Sequence, residues 1–234
     1  MKRGISRSPR QRLIPGRVVV LCEGKTDVAV LSQLLPEDSH QLVAVGGKGE
    51  LGRELSLMAA DQGNLPRLRG VIVVRDADED GSYAWRAIQQ ALWDQGFEAP
   101  GEPGHWSSWR GWHPPAMGWV MGVGQPLRGD LETRILSGLE GSKPLECVRR
   151  FFHCLGVDHP RSKNLLQAWL AGLNDRDSPT LTVASMRGQL PGEFWRPLEP
   201  VRQAFLRPPP PRLPRHEFHD GATRPSLSQE ESPS

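Results

Sequence analysis

An α/β fold, with a mainly parallel sheet covered by helices on both faces, follows from three observations. Apolar strand-like runs alternate with amphipathic helical stretches over residues 17–96. The runs are β-branched and lack polar alternation, as strands buried on both faces require. Gly24, Pro36, Gly46 and Gly47 punctuate the joins between them.

Each element has its own signature. Residues 17–24 (RVVVLCEG) read as a first strand ended by glycine. Residues 25–35 carry Val28, Leu31, Leu34 and Leu35 at helical spacing, and Pro36 stops them. A short second strand covers 41–45. Residues 50–61 place Leu51, Leu55, Met58 and Ala59 on one helical stripe. Residues 69–75 (RGVIVVR) are a third strand, and 82–96 a third helix with Trp85, Ile88, Ala91 and Leu92 facing inward. Right-handed crossovers then bring the C-terminal ends of all the strands to one edge. In open sheets of this kind ligands bind at that edge.

Residues 97–118 break the rhythm, with four prolines and three of the eight tryptophans. Long connections are either functional or disordered. The plainer reading is a small tryptophan core covering the sheet edge. The other is a surface on which Trp106, Trp109 and Trp112, with Arg110 and His113, stack unpaired bases. A strand resumes over 119–124. Residues 131–139, 145–155 and 164–173 read as helices, and 185–206 as partly helical, interrupted by Pro191 and Pro197. The expected organisation is a flexible basic arm (1–16), an α/β domain (17–140), a helical extension packed on it (141–206) and a disordered proline-rich tail (207–234). The arm is either a plain linker or a grip on phosphate, and the tail a solvated end or a ligand for a proline-reading partner.

Composition narrows the function. Twenty-nine basic residues against 27 acidic ones, net +2, argue against a purely electrostatic nucleic-acid coat and against an acidic disordered chain. Cys22, Cys147 and Cys154 form no C-x-x-C pair, which argues against a disulfide framework or a cysteine-rich zinc site. The longest apolar run, about Val18–Cys22, is far short of the roughly 20 residues of a membrane span. No apolar signal core follows the N-terminal basic residues, so a cytoplasmic protein without a membrane partner is expected. Neither a G-x-x-x-x-G-K-[ST] loop nor a G-x-S-x-G elbow is present.

Two acidic groups fall where strands end: Glu23-Gly24-Lys25-Thr26-Asp27 after the first strand, and Asp76-Ala77-Asp78-Glu79-Asp80 after the third. The topology puts both on one edge. Two unit charges about 4 Å apart cost roughly 4 kcal/mol at an effective dielectric near 20. A divalent cation is the natural counter-charge. All-oxygen donors favour Mg²⁺ or Mn²⁺ over zinc. An EF-hand loop is disfavoured, because its twelfth position is Ala87 and the acids follow a strand. A phosphatase with an aspartyl nucleophile would have no need of the acids after the first strand.

These residues resemble a TOPRIM domain, the catalytic fold shared by type IA and II topoisomerases, bacterial primases, overcoming-lysogenization-defect nucleases and the ribonuclease that matures 5S ribosomal RNA. The marks are Glu23-Gly24 and Asp76-Ala77-Asp78, with Asp80 as a further acid, and the likeness covers about residues 17–140. It implies a TOPRIM-like (Rossmann-like) fold. Gly129-Asp130-Leu131-Glu132, Ser162-Lys163 and the stretch 166–171 are similar to stand-alone prokaryotic TOPRIM-like proteins of unknown function, related to the overcoming-lysogenization-defect nuclease domain.

The resemblance implies a Mg²⁺- or Mn²⁺-dependent phosphodiester hydrolase using two ions. Glu23, Asp27, Asp76 and Asp78 would hold one ion. Glu132, for which Asp130 is the alternative match, would help hold the second together with Asp80. Glu23 is alternatively a general base, and Lys163 would offset phosphate charge. Lys25, Lys48, Arg53 and Arg110 would guide nucleic acid, DNA or RNA. Ordinary roles stay open for Glu132 as a helix N-terminal acid and for Lys163 as a surface lysine. Tyr83 is the single tyrosine, which favours hydrolysis over strand passage. Any ATPase would be a separate protein. The alternative is a non-catalytic metal- or nucleic-acid-binding module that regulates such a partner.

Overall fold

The structure, a computed structural model, describes residues 12–173, 190 and 192–212. Most of the expected basic arm, part of the stretch 185–206 and the tail beyond residue 212 lie outside the described residues.

Four parallel strands, β1 (Val18–Cys22), β2 (His40–Ala44), β3 (Gly70–Asp76) and β4 (Ala116–Met121), form one sheet in the order β2-β1-β3-β4. Helices α1 (Lys25–Leu34), α2 (Leu51–Ala60) and α3 (Gly81–Asp94) make the crossovers. The period-two alternation of the strands splits their side chains between two cores. Val18, Val20, Cys22, Ile72, Val74, Met117 and Met121 face α1. Val19, Leu21, Val71, Val73, Ala116 and Val120 face α2 and α3. The sheet is therefore covered on both faces, as its unbroken apolar runs require.

Three further helices follow: α4 (Leu131–Gly138), α5 (Lys143–Cys154) and α6 (Ser162–Leu173). Leu131, Ile135, Leu166, Trp169 and Leu170 join the α1-side core. So do Phe194, on the single turn Gly192–Trp195, and Val201 and Phe205, on the helix Glu199–Leu206. That last helix is pinned to β2 where His40 Nε2 meets the Phe205 carbonyl at 3.2 Å. The extension thus completes one face of the sheet.

The fourth strand starts at Ala116, three residues before its expected start, and ends at Met121. Pro114 and Pro115 make its beginning look like loop. Yet the Pro115 carbonyl already accepts from Val71 N–H at 2.9 Å, and Ala116 and Met117 enter the two cores on alternate sides. Residues 97–115 turn back along the outer edge of β4: Gly104 N–H donates to the Gly118 carbonyl at 2.9 Å and Ser107 N–H to the Ala116 carbonyl at 2.7 Å. An edge strand needs such cover. The loop covers the edge as the plainer reading expects, but its tryptophans do not gather into one small core: Trp106 packs on one core and Trp112 on the other. Residues 207–212, expected to be a free tail, are seated on this loop.

Gly118 is required by close packing. A Cβ there would lie 2.4 Å from Trp85 Cζ3 and 2.9 Å from Ile88 Cγ2 on α3. Gly118→Val should therefore force α3 off the sheet, at about 3 kcal/mol for an overpacked core. For a chain of this size the melting temperature should fall by about 10 °C, read by circular dichroism.

Candidate acidic site at the strand C-terminal edge

Glu23 follows the last residue of β1, and Asp76 ends the neighbouring β3. The parallel register sets them at one edge. Glu23 Oε1 lies 3.4 Å from Arg75 Nε, with both side chains only 14% exposed. Neither atom has a well-aligned hydrogen bond, so the pair is held by charge alone. Asp27 Oδ2 accepts from Gly24 N–H at 2.8 Å in a capping arrangement, which folds its carboxylate back over the start of α1.

A second connection brings in the later acids. Asp78 has φ 50°, a left-handed conformation that short polar side chains tolerate. From there its N–H donates to the Gly129 carbonyl at 2.8 Å, and Gly129 N–H donates back at 2.6 Å. Gly129 has φ +93°, and a Cβ would sit 2.8 Å from the Thr133 side chain, so only glycine fits. This bridge sets the start of α4 against the end of β3. Asp130 caps α4 by accepting from Thr133 N–H (2.8 Å) and Oγ1 (2.6 Å), and it meets Ser162 Oγ at 3.0 Å. That contact ties α6 to the same edge. Lys163 is then close enough for its charge to act on Glu132.

The electrostatics reflect this crowding. Burial first, and then the charges of Asp27, Glu23, Asp130 and Glu132, push Asp76 up to about 8. Burial also raises Glu23, and the charges of Lys48 and Arg75 pull it back. Asp27 and Glu132 are raised chiefly by burial and then by Asp130, with Lys163 opposing the shift at Glu132. Burial pushes the Cys22 thiol well up, helped by Asp27 and Asp76, so it stays unreactive beneath the acids. Lys48 forms an ion pair with Asp78 and feels Glu23 and Asp76 beyond it.

Not every expected residue joins this group. Asp80 is exposed and caps α3, accepting from Ser82 N–H (2.8 Å), Ser82 Oγ (2.7 Å) and Tyr83 N–H (3.4 Å). Lys25 is exposed at the first residue of α1. Arg53 pairs with Glu50 at 3.1 Å on the first turn of α2. Arg110 lies over the Trp93 ring at 4.1 Å and donates to the Phe97 carbonyl. That places it beside the C-terminal end of α3, and therefore at the opposite end of the sheet from the acids. Arg75 was not among the expected residues. Its only sequence signal is a charge at the end of an otherwise apolar strand.

The donor chemistry fits a hard divalent cation. Glu23, Asp27, Asp76, Asp130 and Glu132 share one field and offer only oxygen. Among the described residues, however, no three acidic, histidine or cysteine side chains converge on a common point. Lys48 engages Asp78, Thr133 and Ser162 engage Asp130, and the remaining carboxylates repel one another. No helix of the described residues is long and apolar enough to cross a membrane.

A family model described as "Protein of unknown function (DUF3226)" matches residues 17–207. No curated protein and no solved structure matches the chain.

Proposed function

We propose that this chain, which belongs to the DUF3226 family, is a divalent-cation-dependent phosphodiester hydrolase acting on nucleic acid. One observation carries the reading. The acids after β1 and β3 lie along one sheet edge, and the Asp78–Gly129 bridge brings Asp130 and Glu132 near enough for their charges to act on Asp76. The TOPRIM resemblance supports it, since Glu23-Gly24 and Asp76-Ala77-Asp78 stand at the ends of adjacent parallel strands.

Glu23, Asp27, Asp76 and Asp78 would hold one Mg²⁺ or Mn²⁺, and Glu132 with Asp130 would help hold a second. Asp130 replaces Asp80 in this set, because the charge of Asp130 acts on Asp76 whereas Asp80 is exposed at the cap of α3. When bound, the ions supply positive charge that stabilises the phosphoryl oxygens through the displacement. In the alternative role, Glu23 leaves the ion to Asp27, Asp76 and Asp78 and, made more basic by its burial, takes the proton of the attacking water while Arg75 holds its carboxylate in place. The water oxygen forms a bond to phosphorus as the ester P–O bond breaks, and solvent returns a proton to the departing oxygen. Lys163 offsets charge on the non-bridging oxygens. Lys48 is 46% exposed and can exchange Asp78 for phosphate. A cytoplasmic setting and a separate ATPase partner accord with this reading.

The test incubates the full chain with single-stranded, duplex and structured DNA and RNA, with and without Mg²⁺ or Mn²⁺. Cation-dependent cleavage of at least one substrate is expected. Cleavage of none would overturn the hydrolase. The unconverged carboxylates favour a second reading, a module that binds cation and nucleic acid without cutting. Retention of nucleic acid with no product would select it.

Lys48 competes for Asp78. Lys48→Met should therefore tighten cation binding about threefold to tenfold, by removing a rival positive charge. Calorimetric titration of Mn²⁺ into both proteins checks this.

A further inference from the structure

The loop along β4 holds the segment 207–212 in a way that reads proline. Trp106 Nε1 donates to the Arg207 carbonyl at 3.0 Å, and Trp109 Nε1 donates to the Pro210 carbonyl at 3.0 Å. The donors are three residues apart, and so are the acceptors. A left-handed polyproline helix has three residues per turn, so carbonyls at that spacing face the same side. Arg207, at φ −62° and ψ 129°, already has that backbone conformation. The four prolines that follow fix their own φ near −65° and hold each preceding residue extended. Arg212 ends the run with its guanidinium 5.1 Å from the centre of the Trp109 ring.

The receptor side is pre-built. Trp106 packs on the core, Ser107 is buried and paired to β4, and Arg110 is clamped between the Trp93 ring and the Phe97 carbonyl. The occupant is held loosely by comparison, with Pro208, Pro211 and Arg212 exposed. Aromatic side chains that donate to carbonyls spaced by one polyproline turn are a general means of recognising such helices, whose low entropy in the free state favours binding.

We propose that Trp106 and Trp109 form a polyproline-recognition site. Its cis occupant is Arg207-Pro208-Pro209-Pro210-Pro211-Arg212, and a proline-rich, arginine-ended segment of a partner protein can replace it. The cis segment competes at about millimolar effective concentration, so the partner engages when that segment is released.

The test uses the full chain and a fluorescently labelled peptide, LRPPPPR, followed by anisotropy. Replacing Pro208, Pro209, Pro210 and Pro211 together by Gly leaves the loop intact and weakens its own occupant. This variant should bind the peptide saturably and at least tenfold more tightly than wild type. Adding Trp109→Phe, which keeps an aromatic ring and removes the N–H, should cost at least tenfold. The peptide LRGGGGR should not bind. A gentler release, Arg212→Ala with the native prolines, should tighten peptide binding severalfold over wild type and does not depend on the glycine chain folding well. No saturable binding to either released variant, or equal binding with Trp109→Phe, would overturn the proposal.

Discussion

Asp76→Asn should lower the proposed cleavage activity by about a hundredfold to a thousandfold, and yet stabilise the cation-free protein. The loss follows from taking one charged oxygen ligand out of the proposed cation site, since removing single preorganised groups costs about 10²–10³ in rate. The gain follows from linkage. The Asp76 carboxyl is raised from 3.8 to about 8 in the folded state. Between those values the folded protein keeps a proton that the unfolded chain has released, so stability falls as pH rises through that window. Each pKa unit is worth about 1.4 kcal/mol, and even about 2 kcal/mol recovered would raise the melting temperature by roughly 5 °C at this chain length. Asparagine carries no titrating group. Its melting temperature should therefore exceed that of wild type most at pH 8 and least at pH 5. Thermal melts across that range check the sign. Solvated, independent acids would give no pH-dependent gain.

Phe194→Ala should be the most damaging core change. Phe194 is fully buried, stacks on Trp169 at a centroid separation of 6.5 Å, and meets Trp195 edge-on at 5.0 Å. Truncating a buried phenylalanine costs about 3–5 kcal/mol, part lost transfer energy and part residual cavity. A drop in melting temperature of about 10–15 °C follows. Because Phe194 shares a core with Val20 and Ile72 of the central strands, sheet and extension should unfold in one transition. A two-step melt in which the sheet keeps its wild-type midpoint would mark the extension as a separate unit.

The sheet was legible because β1 and β3 are buried on both faces, and a run such as VVVLC has no other stable setting. The start of β4 was hidden because its first residues follow two prolines, and because Gly118, which looks like a breaker, is there to admit Trp85. Glu23, Asp76 and Asp78 were legible from strand ends alone. The arrival of Asp130 and Glu132 depends on the Asp78–Gly129 bridge, a non-local contact that no periodicity encodes. The Glu23–Arg75 pair depends on strand register and side-chain direction. Two placements could have been read from rules already available. Asp80 before Gly-Ser has the pattern of a helix cap. Arg110 follows the C-terminal end of α3, which in a parallel α/β unit lies away from the strand C-terminal edge. The seating of 207–212 pairs two segments about a hundred residues apart, and composition alone suggested a free tail.

The acids at this edge are proposed to form a divalent-cation site. Titrating Mn²⁺ into the full chain by calorimetry, in two buffers of different ionisation enthalpy, decides whether they do. Cation binding displaces protons from its ligands. Asp76 is raised to about 8, so at pH 7 it surrenders close to one proton. Saturable binding is expected, with release of about one proton and an affinity that climbs from pH 6 to pH 8, both absent in Asp76→Asn. No binding, or binding that is pH-independent and equal in Asp76→Asn, would mean that the acids hold no cation.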